Sequence, residues 1–317
     1  MKKILCIGEA LIDMICTDKG KSLGQGQNFQ KMTGGAPTNV AAAIAALGGK
    51  VELAARVGND PFGRQLIEAM RDFGVSTSRM VVDQEHFTSI AFVSLMEDGE
   101  RDFVFNRGAD GELSRHDIEN INLDEFSIIH FGSATAFLKG PLQEAYESLL
   151  QNAIQKEIFI SFDPNYRHLL FKNNTRSFVD QSWKFLKSCN FFKVSEEEAI
   201  LITGAKSLAD ATAFLIENST AAFAITLGKE GALLRHSRHT KKIGSIPVKP
   251  VDTTGAGDAF VGAVLYQLSV LREDNLSRLP PEAWGHIIRN ANRAGARTCE
   301  YLGAMEAFKQ LSNEIFK

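Results

Sequence analysis

The stretch Val251-Asp-Thr-Thr-Gly-Ala-Gly-Asp-Ala-Phe260 decides how this chain is read. Upstream of it, Ile243 to Val251 is an apolar, β-branched run with the character of a strand. Downstream, Ala259-Phe-Val-Gly-Ala-Val-Leu-Tyr266 has the small residues of a closely packed helix. A strand, a tight turn and a helix start leave successive backbone N–H groups aimed at one place, with the positive end of the helix dipole behind them. Glycines at 255 and 257 let the backbone approach a ligand. Asp258 falls in the first helical turn. Taken alone, it reads equally well as a helix cap and as a carboxylate serving an anion site.

The rest of the chain narrows the choice. Its 317 residues are 44% apolar and 23% charged, an ordinary globular composition that can bury a large core. A formal charge of −3 gives no basic footprint for nucleic acid or acidic membranes. Cys6, Cys16, Cys189 and Cys299 form no C-x-x-C pair, and no His/Cys spacing suggests zinc, which fits a reducing cytoplasm. Met1-Lys-Lys before Ile-Leu-Cys-Ile resembles the start of a signal peptide, but Gly8, Glu9 and Asp13 break the apolar run. No segment reaches the ~20 apolar residues a membrane helix needs.

In order, Lys3 to Gly8 reads as a buried strand, and Glu9-Ala-Leu-Ile-Asp13 as its end, carrying two carboxylates where ligands of open α/β sheets sit. Residues 17–31 are polar and glycine-rich, a loop with a short exposed strand outside the main sheet. Thr33-Gly-Gly-Ala-Pro-Thr-Asn39 opens an alanine-rich helix with Gly48 as its C-terminal cap. Asn39 is there either a first-turn capping residue or an amide that meets a polar ligand. Val51 to Gly58 is a second strand, and Asp60-Pro61 starts a helix that runs to Phe73. Phe87–Met96 and Asp102–Asn106 pair around the turn Glu97-Asp98-Gly99-Glu100.

From residue 127, strands at Ile128–Phe131, Ile158–Phe162, Phe191–Val194 and Ala222–Leu227 alternate with helices near 141–156, 175–188, 195–203 and 207–217. A short β segment at Ala232–Arg235, a strand at Ile243–Val248, a helix including Ala283–Thr298 and a helical tail follow. This alternation predicts a mostly parallel sheet covered on both faces. The inserted hairpin, with residues 14–32, predicts a small separate sheet, either a lid over a ligand or a surface for dimerisation.

No Walker A sequence, no G-x-G-x-x-G after the first strand and no G-x-S-x-G occurs. His236 and His239 have ligand-like spacing but lie in a basic stretch and read as surface. What does occur, in order, is Gly8-Glu9…Asp13, Gly34-Gly-Ala-Pro-Thr-Asn39, Gly58-Asn-Asp-Pro-Phe-Gly63 and Asp252-Thr-Thr-Gly-Ala-Gly-Asp258. This set closely resembles the ribokinase-like (PfkB) carbohydrate kinases, from residue 3 to about residue 305. Arg107-Gly-Ala-Asp110, Asp163-Pro-Asn-Tyr-Arg167, Lys193-Val-Ser-Glu-Glu-Glu198 and Thr226-Leu-Gly-Lys-Glu-Gly231 resemble the fructokinase branch.

The resemblance implies a ribokinase-like α/β fold, a doubly wound, mostly parallel sheet with helices on both faces plus a small β-sheet lid. The body would be residues 1–13, 33–85 and 110–317, and the lid 14–32 and 86–109. The implied activity is ATP-dependent phosphorylation of a sugar hydroxyl, D-fructose to fructose 6-phosphate, with Mg²⁺ and, as in some members, K⁺. Phosphoryl transfer needs positioning and charge neutralisation more than covalent help. Amides of Gly255, Ala256, Gly257 and Asp258 would hold the transferring phosphoryl oxygens, and Asp258 would take the proton of the attacking hydroxyl.

By resemblance, Asp13, Gly34, Gly35 and Asn39 meet the sugar, with Arg107 and Arg167 as further polar contacts. Thr226, Gly228, Gly231, Asn292, Gly255 and Gly257 line the nucleotide. Glu198 organises Mg²⁺ through water, although Ser195-Glu-Glu-Glu198 is also a complete capping box. Asp252, Thr254 and Gly303 belong to a monovalent-cation site, with an Asx turn as the alternative for Asp252. The implied partners are sugar and ATP, with a homodimer through the lid. Two rivals stay open: a 2-keto-3-deoxygluconate kinase, for which Arg107 and Arg167 would meet the acid, and a non-catalytic sugar-binding regulator. A nucleoside kinase fits less well, because residues 14–32 are largely polar.

Overall fold

The computed structural model describes residues 2–97, 101–237, 239–271, 276 and 279–316. The strands among them are β1 (Lys3–Ile7), β2 (Leu11–Cys16), β3 (Phe29–Gly34), β4 (Lys50–Gly58), β5 (Met80–Asp83), β6 (Ile90–Leu95), β7 (Arg101–Asn106), β8 (Phe126–Phe131), β9 (Phe159–Phe162), β10 (Phe191–Ser195), β11 (Ala222–Thr226), β12 (Ala232–His236) and β13 (His239–Ile243). Nine form one sheet in the order β13-β12-β11-β10-β9-β8-β1-β4-β5, and four form a second in the order β3-β2-β6-β7. From β5 across to β11 all neighbours are parallel, while β12 and β13 add antiparallel at one edge.

Side-chain alternation shows how the large sheet is covered. Ile4 and Cys6 of β1 pack into one apolar cluster, and Leu5 and Ile7 into another on the opposite face. The first cluster includes helices Ala36–Ala46, Ala256–Val270 and Pro281–Thr298; the second includes Pro141–Gln155, Thr175–Leu186 and Glu196–Thr203. A parallel sheet buried on both faces explains why its strands are near-continuous apolar runs.

Small residues set the spacing that matters for function. A side chain at Gly262 would stand 2.7 Å from Ala43 Cβ, so helices Ala36–Ala46 and Ala256–Val270 can touch only because glycine faces alanine. Both helices therefore start side by side, at the end of the sheet where β1 has just ended. There the chain passes from β1 to β4 on one side and from β8 to β9 on the other, which opens the crevice used by doubly wound folds between β1 and β8. Asp60 caps helix Pro61–Phe73 as its sequence predicts, accepting from Gly63 N at 2.8 Å, and Gly74 ends that helix at φ 85°.

The structure corrects several expectations. Ile243–Val248 is not a strand: β13 ends at Ile243, and residues 244–250 have no regular structure. Pro247 and Pro250 lack the N–H a ladder needs. Asp13 does not end the first strand of the large sheet but stands in β2 of the small sheet, as Gly34 does in β3. The four-residue edge strand β5, Met80-Val-Val-Asp83, is not among the strands expected from the sequence. The turn at Asp98-Gly99-Glu100 lies outside the described residues. His236 and His239 face each other across the β12–β13 hairpin.

Candidate active site

The two neighbouring helix starts meet through their side chains. Asn39, in the first turn of helix Ala36–Ala46, donates from Nδ2 to Asp258 Oδ2 at 2.8 Å. Both are buried, and Asn39 Oδ1 has no hydrogen-bond partner. Gly35 precedes the first helix at φ 106°, where a side chain would overlap the Glu9 carbonyl. Gly34 lies against the Asp13 carboxylate, which a side chain at 34 would displace. Gly255 precedes the second helix at φ 80°, and no side chain caps that helix. Among the described residues, Ala256 N turns back to Thr253 O, while the N–H groups of Gly257 and Asp258 meet no protein acceptor.

The charges around this junction are unusual for a protein interior. Burial raises the pKa of Asp258, opposed by Asn39, by the charges of Arg167 and Lys193, and by Asn165. Asp13 is pushed to about 6 by burial, again opposed by Arg167. Arg167 is thus exposed at the rim yet felt by both carboxylates. Lys193 Nζ sits 3.1 and 3.4 Å from the Asp163 oxygens. Burial alone would lower Lys193, but Asp163, Glu198 and Asp258 outweigh it and hold the ammonium above its ordinary value. His130 is buried close by and stays neutral, its pKa pushed down to about 3 by burial and by Lys193. Asn165 adopts φ 53°, an uncommon conformation for a residue with a side chain.

Below the first helix start lies a network that only the fold reveals. Glu9 is buried, and its carboxylate accepts from Ala36 N at 3.0 Å, Ala134 N at 3.2 Å and the Ser133 hydroxyl. Thr135 Oγ1 bridges on to Asp110 Oδ2 at 2.8 Å, and Asp110 also accepts from Ser89. Ser89 and Asp110 flank the two strands β6 and β7, so Glu9 ties the roots of the small sheet to the Gly35–Ala36 turn. Burial pushes Glu9 up to about 7, against its own hydrogen bonds. Arg107 joins this network from the other side. Its Nη1 and Nη2 donate to the carbonyls of Lys139 (3.0 Å) and Thr135 (3.3 Å), and Nε faces Asp110 at 3.8 Å.

Other sequence-derived candidates fall into separate groups. Asp252 Oδ1 accepts from Thr254 N at 2.9 Å and Thr254 Oγ1 at 2.7 Å, and Oδ2 from Gly303 N at 2.9 Å. The Asx turn is therefore present, and it brings all three residues together. Thr226 ends β11, Gly228 follows at φ 55°, and Gly231 at φ 95° packs against the backbone of Ile243–Ser245. Asn292 is buried, not on the helix surface, and donates to Ile243 O at 2.8 Å and Gly244 O at 3.2 Å. Glu198 forms its capping box with Ser195, and its other oxygen accepts from Tyr166 N at 2.8 Å. Each Glu198 oxygen keeps one free lone pair, which suits contact through water. Among the described residues no cluster of three acidic, histidine or cysteine side chains could cage a metal.

The sequence placed Glu9 at a strand end without its network, and it gave Lys193 and Asp163 no role beyond membership of motifs. A signal was there for Lys193: one lysine inside Phe191-Phe-Lys-Val194, a strand apolar enough to be buried on both faces.

Residues 1–310 match the family described as pfkB family carbohydrate kinase. Fructokinase-1 of Oryza sativa subsp. japonica is 34% identical over 307 residues, covering 95% of this chain and 93% of the rice protein. A fructokinase from Vibrio cholerae O395, solved with fructose, ADP and calcium ion bound, superposes with a TM-score of 0.85 at 29% identity, covering 100% of this chain and 98% of that one. A double mutant of that enzyme with fructose, ADP and potassium ion superposes with a TM-score of 0.85 at 30% identity, covering 100% and 97%. The chain belongs to the pfkB family of carbohydrate kinases. It has the ribokinase-like fold and is a sugar kinase.

Proposed function

We propose that this kinase transfers the γ-phosphoryl group of ATP to D-fructose, giving fructose 6-phosphate. The carrying observation is the Asn39–Asp258 hydrogen bond at 2.8 Å, with Asn39 Oδ1 buried and unpartnered beside it. A buried acceptor without a donor is costly unless a ligand supplies one, and a sugar hydroxyl does. Asp258 takes the hydroxyl proton as the sugar oxygen attacks phosphorus. Burial raises its pKa, which improves it as a base. The free N–H groups of Gly257 and Asp258 receive the oxygens of the phosphoryl group in flight. Asp13, Gly34, Gly35, Asn39 and Arg167 hold the sugar, and Thr226, Gly228, Gly231 and Asn292 the nucleotide side.

Mg²⁺, when bound with ATP, neutralises phosphate charge, and Glu198 would orient its water shell. Asp252, Thr254 and Gly303 would border a K⁺ site. In this reading residues 14–32 and 86–109 form a lid on the body, and the exposed Phe87, Leu95 and Val104 support a homodimer through it. No helix among the described residues is by itself long and apolar enough to cross a membrane. A cytoplasmic setting accords with the four free cysteines, and nucleic acid and membrane are not among the partners.

A neutral sugar is favoured over 2-keto-3-deoxygluconate because Arg107 is already committed to Thr135, Lys139 and Asp110. An ADP-release assay over fructose, ribose, 2-keto-3-deoxygluconate and adenosine tests this. The highest kcat/KM is expected with fructose. Preference for the acid overturns the sugar assignment, and no turnover with any of the four overturns the function.

A further inference from the structure

Lys193 stands in the middle of β10, where a charge is expensive. Phe191, Phe192 and Val194 on either side of it are fully buried. Its only hydrogen-bond acceptor among the described residues is Asp163. A buried ion pair of this kind is weak evidence for stability, since two apolar residues of similar volume usually serve a core as well or better. The pair therefore calls for another explanation, and its position provides one. The side-chain position that Gly257 lacks lies 3.3 Å from Lys193 Nζ and 3.7 Å from its Cε. The ammonium thus borders the same helix start whose Gly257 and Asp258 N–H groups have no protein acceptor. It carries three donors, and Asp163 does not use them all.

The charge balance points the same way. Asp163, Glu198 and Asp258 all act on Lys193. Phosphates entering beside three carboxylates meet repulsion unless cations answer it. The two cations felt by Asp258 are Arg167, exposed at the rim, and Lys193, buried at the floor. There is no Walker lysine to do this work.

We propose that Lys193 is a catalytic cation, whose ammonium meets the oxygens of the transferred phosphoryl group beside Gly257. The inference rests on the kinase reading above. As the bond from sugar oxygen to phosphorus forms, the bond from phosphorus to the β-phosphate oxygen of ATP breaks, and its electron pair leaves on ADP. The hydroxyl proton goes to Asp258. Lys193 stays protonated throughout and offsets the charge on the phosphoryl oxygens. Asp163 is its positioning residue.

The test compares variants with the wild type in the ADP-release assay, with sugar and ADP affinities measured by calorimetry. Lys193→Met is expected to lower kcat about 10²-fold, the scale of losing one electrostatic stabiliser. Fructose KM and ADP affinity stay within about threefold, because neither ligand carries the transferred group. Lys193→Arg, which keeps the charge, recovers at least a tenth of the lost rate, as expected of a mainly electrostatic role. If Lys193→Met does not fold, Lys193→Met with Asp163→Leu replaces the whole pair by apolar residues and carries the test. A slow double variant supports the proposal, and one restored to within about threefold of wild type overturns it by making the lysine merely structural. Asp163→Asn, which keeps the ammonium, is expected to lose less than Lys193→Met, and an equal loss also overturns it. Wild-type protein without turnover would instead refute the kinase reading.

Discussion

The two glycine-rich helix starts look alike in sequence and differ in what fills them. At helix Ala36–Ala46, Glu9 already places a carboxylate on the Ala36 N–H at 3.0 Å, so the positive end of that helix is answered from within. At helix Ala256–Val270, no side chain caps the start, and Gly257 and Asp258 keep their N–H groups free. One start is thus suited to a neutral polar ligand and the other to an anion. The Asn39–Asp258 bond joins the two at the point where a hydroxyl would meet a phosphoryl group. Helix packing through Ala43 and Gly262 makes that meeting possible.

Removing the base is expected to have the largest effect. Asp258→Asn should bind fructose and ATP nearly as wild type does yet turn over at least ~10²-fold more slowly, read by calorimetry and ADP release. Asn39→Ala acts on the neutral side: fructose KM should rise about tenfold or more while ATP KM holds, since a buried hydrogen-bonded group is lost. An ATP effect equal to the sugar effect would erase the distinction between the two starts. Glu9→Gln unbalances the filled start, leaving an N–H or hydroxyl donor unmet; it should cost about 1–3 kcal/mol in denaturant unfolding, with only a few-fold change in turnover. The smallest effect is a displaced pH limb. Asp258 must be ionised to act, and burial raises its pKa, so kcat/KM should fall with decreasing pH through a value above the ~3.9 of an ordinary aspartate. An acid limb at or below that value would contradict the burial of the base.

The sequence made some of this visible and hid the rest for physical reasons. Gly34, Gly35, Asn39 and Gly255–Asp258 were legible because glycine, proline and capping residues constrain the backbone locally. The alternation of strands and helices was legible because buried parallel strands must be apolar along their length. Ile243–Val248 misled because its apolar pattern outweighed Pro247 within it and Pro250 just beyond, which deny it a ladder. Asp13 was placed on the wrong sheet since nothing local marks where a chain passes from one sheet to another. The parts played by Glu9 and Lys193 stayed hidden because their partners come from the start of helix Ala36–Ala46, the loop after β8 and the loop after β9, far off in sequence. The commitment of Arg107 to backbone carbonyls is likewise a tertiary fact.

The most direct measurement follows the backbone amides themselves. Amide chemical shifts would be recorded for the free protein and with fructose, ADP, Mg²⁺ and fluoroaluminate, a mimic of the phosphoryl group in flight. The account predicts large shifts at Gly257 and Asp258, beyond those caused by ADP and fructose alone, and little further change at Ala36. Equal responses at Ala36 and Gly257, or none at Gly257 and Asp258, would contradict the claim that only the second helix start receives the phosphoryl group.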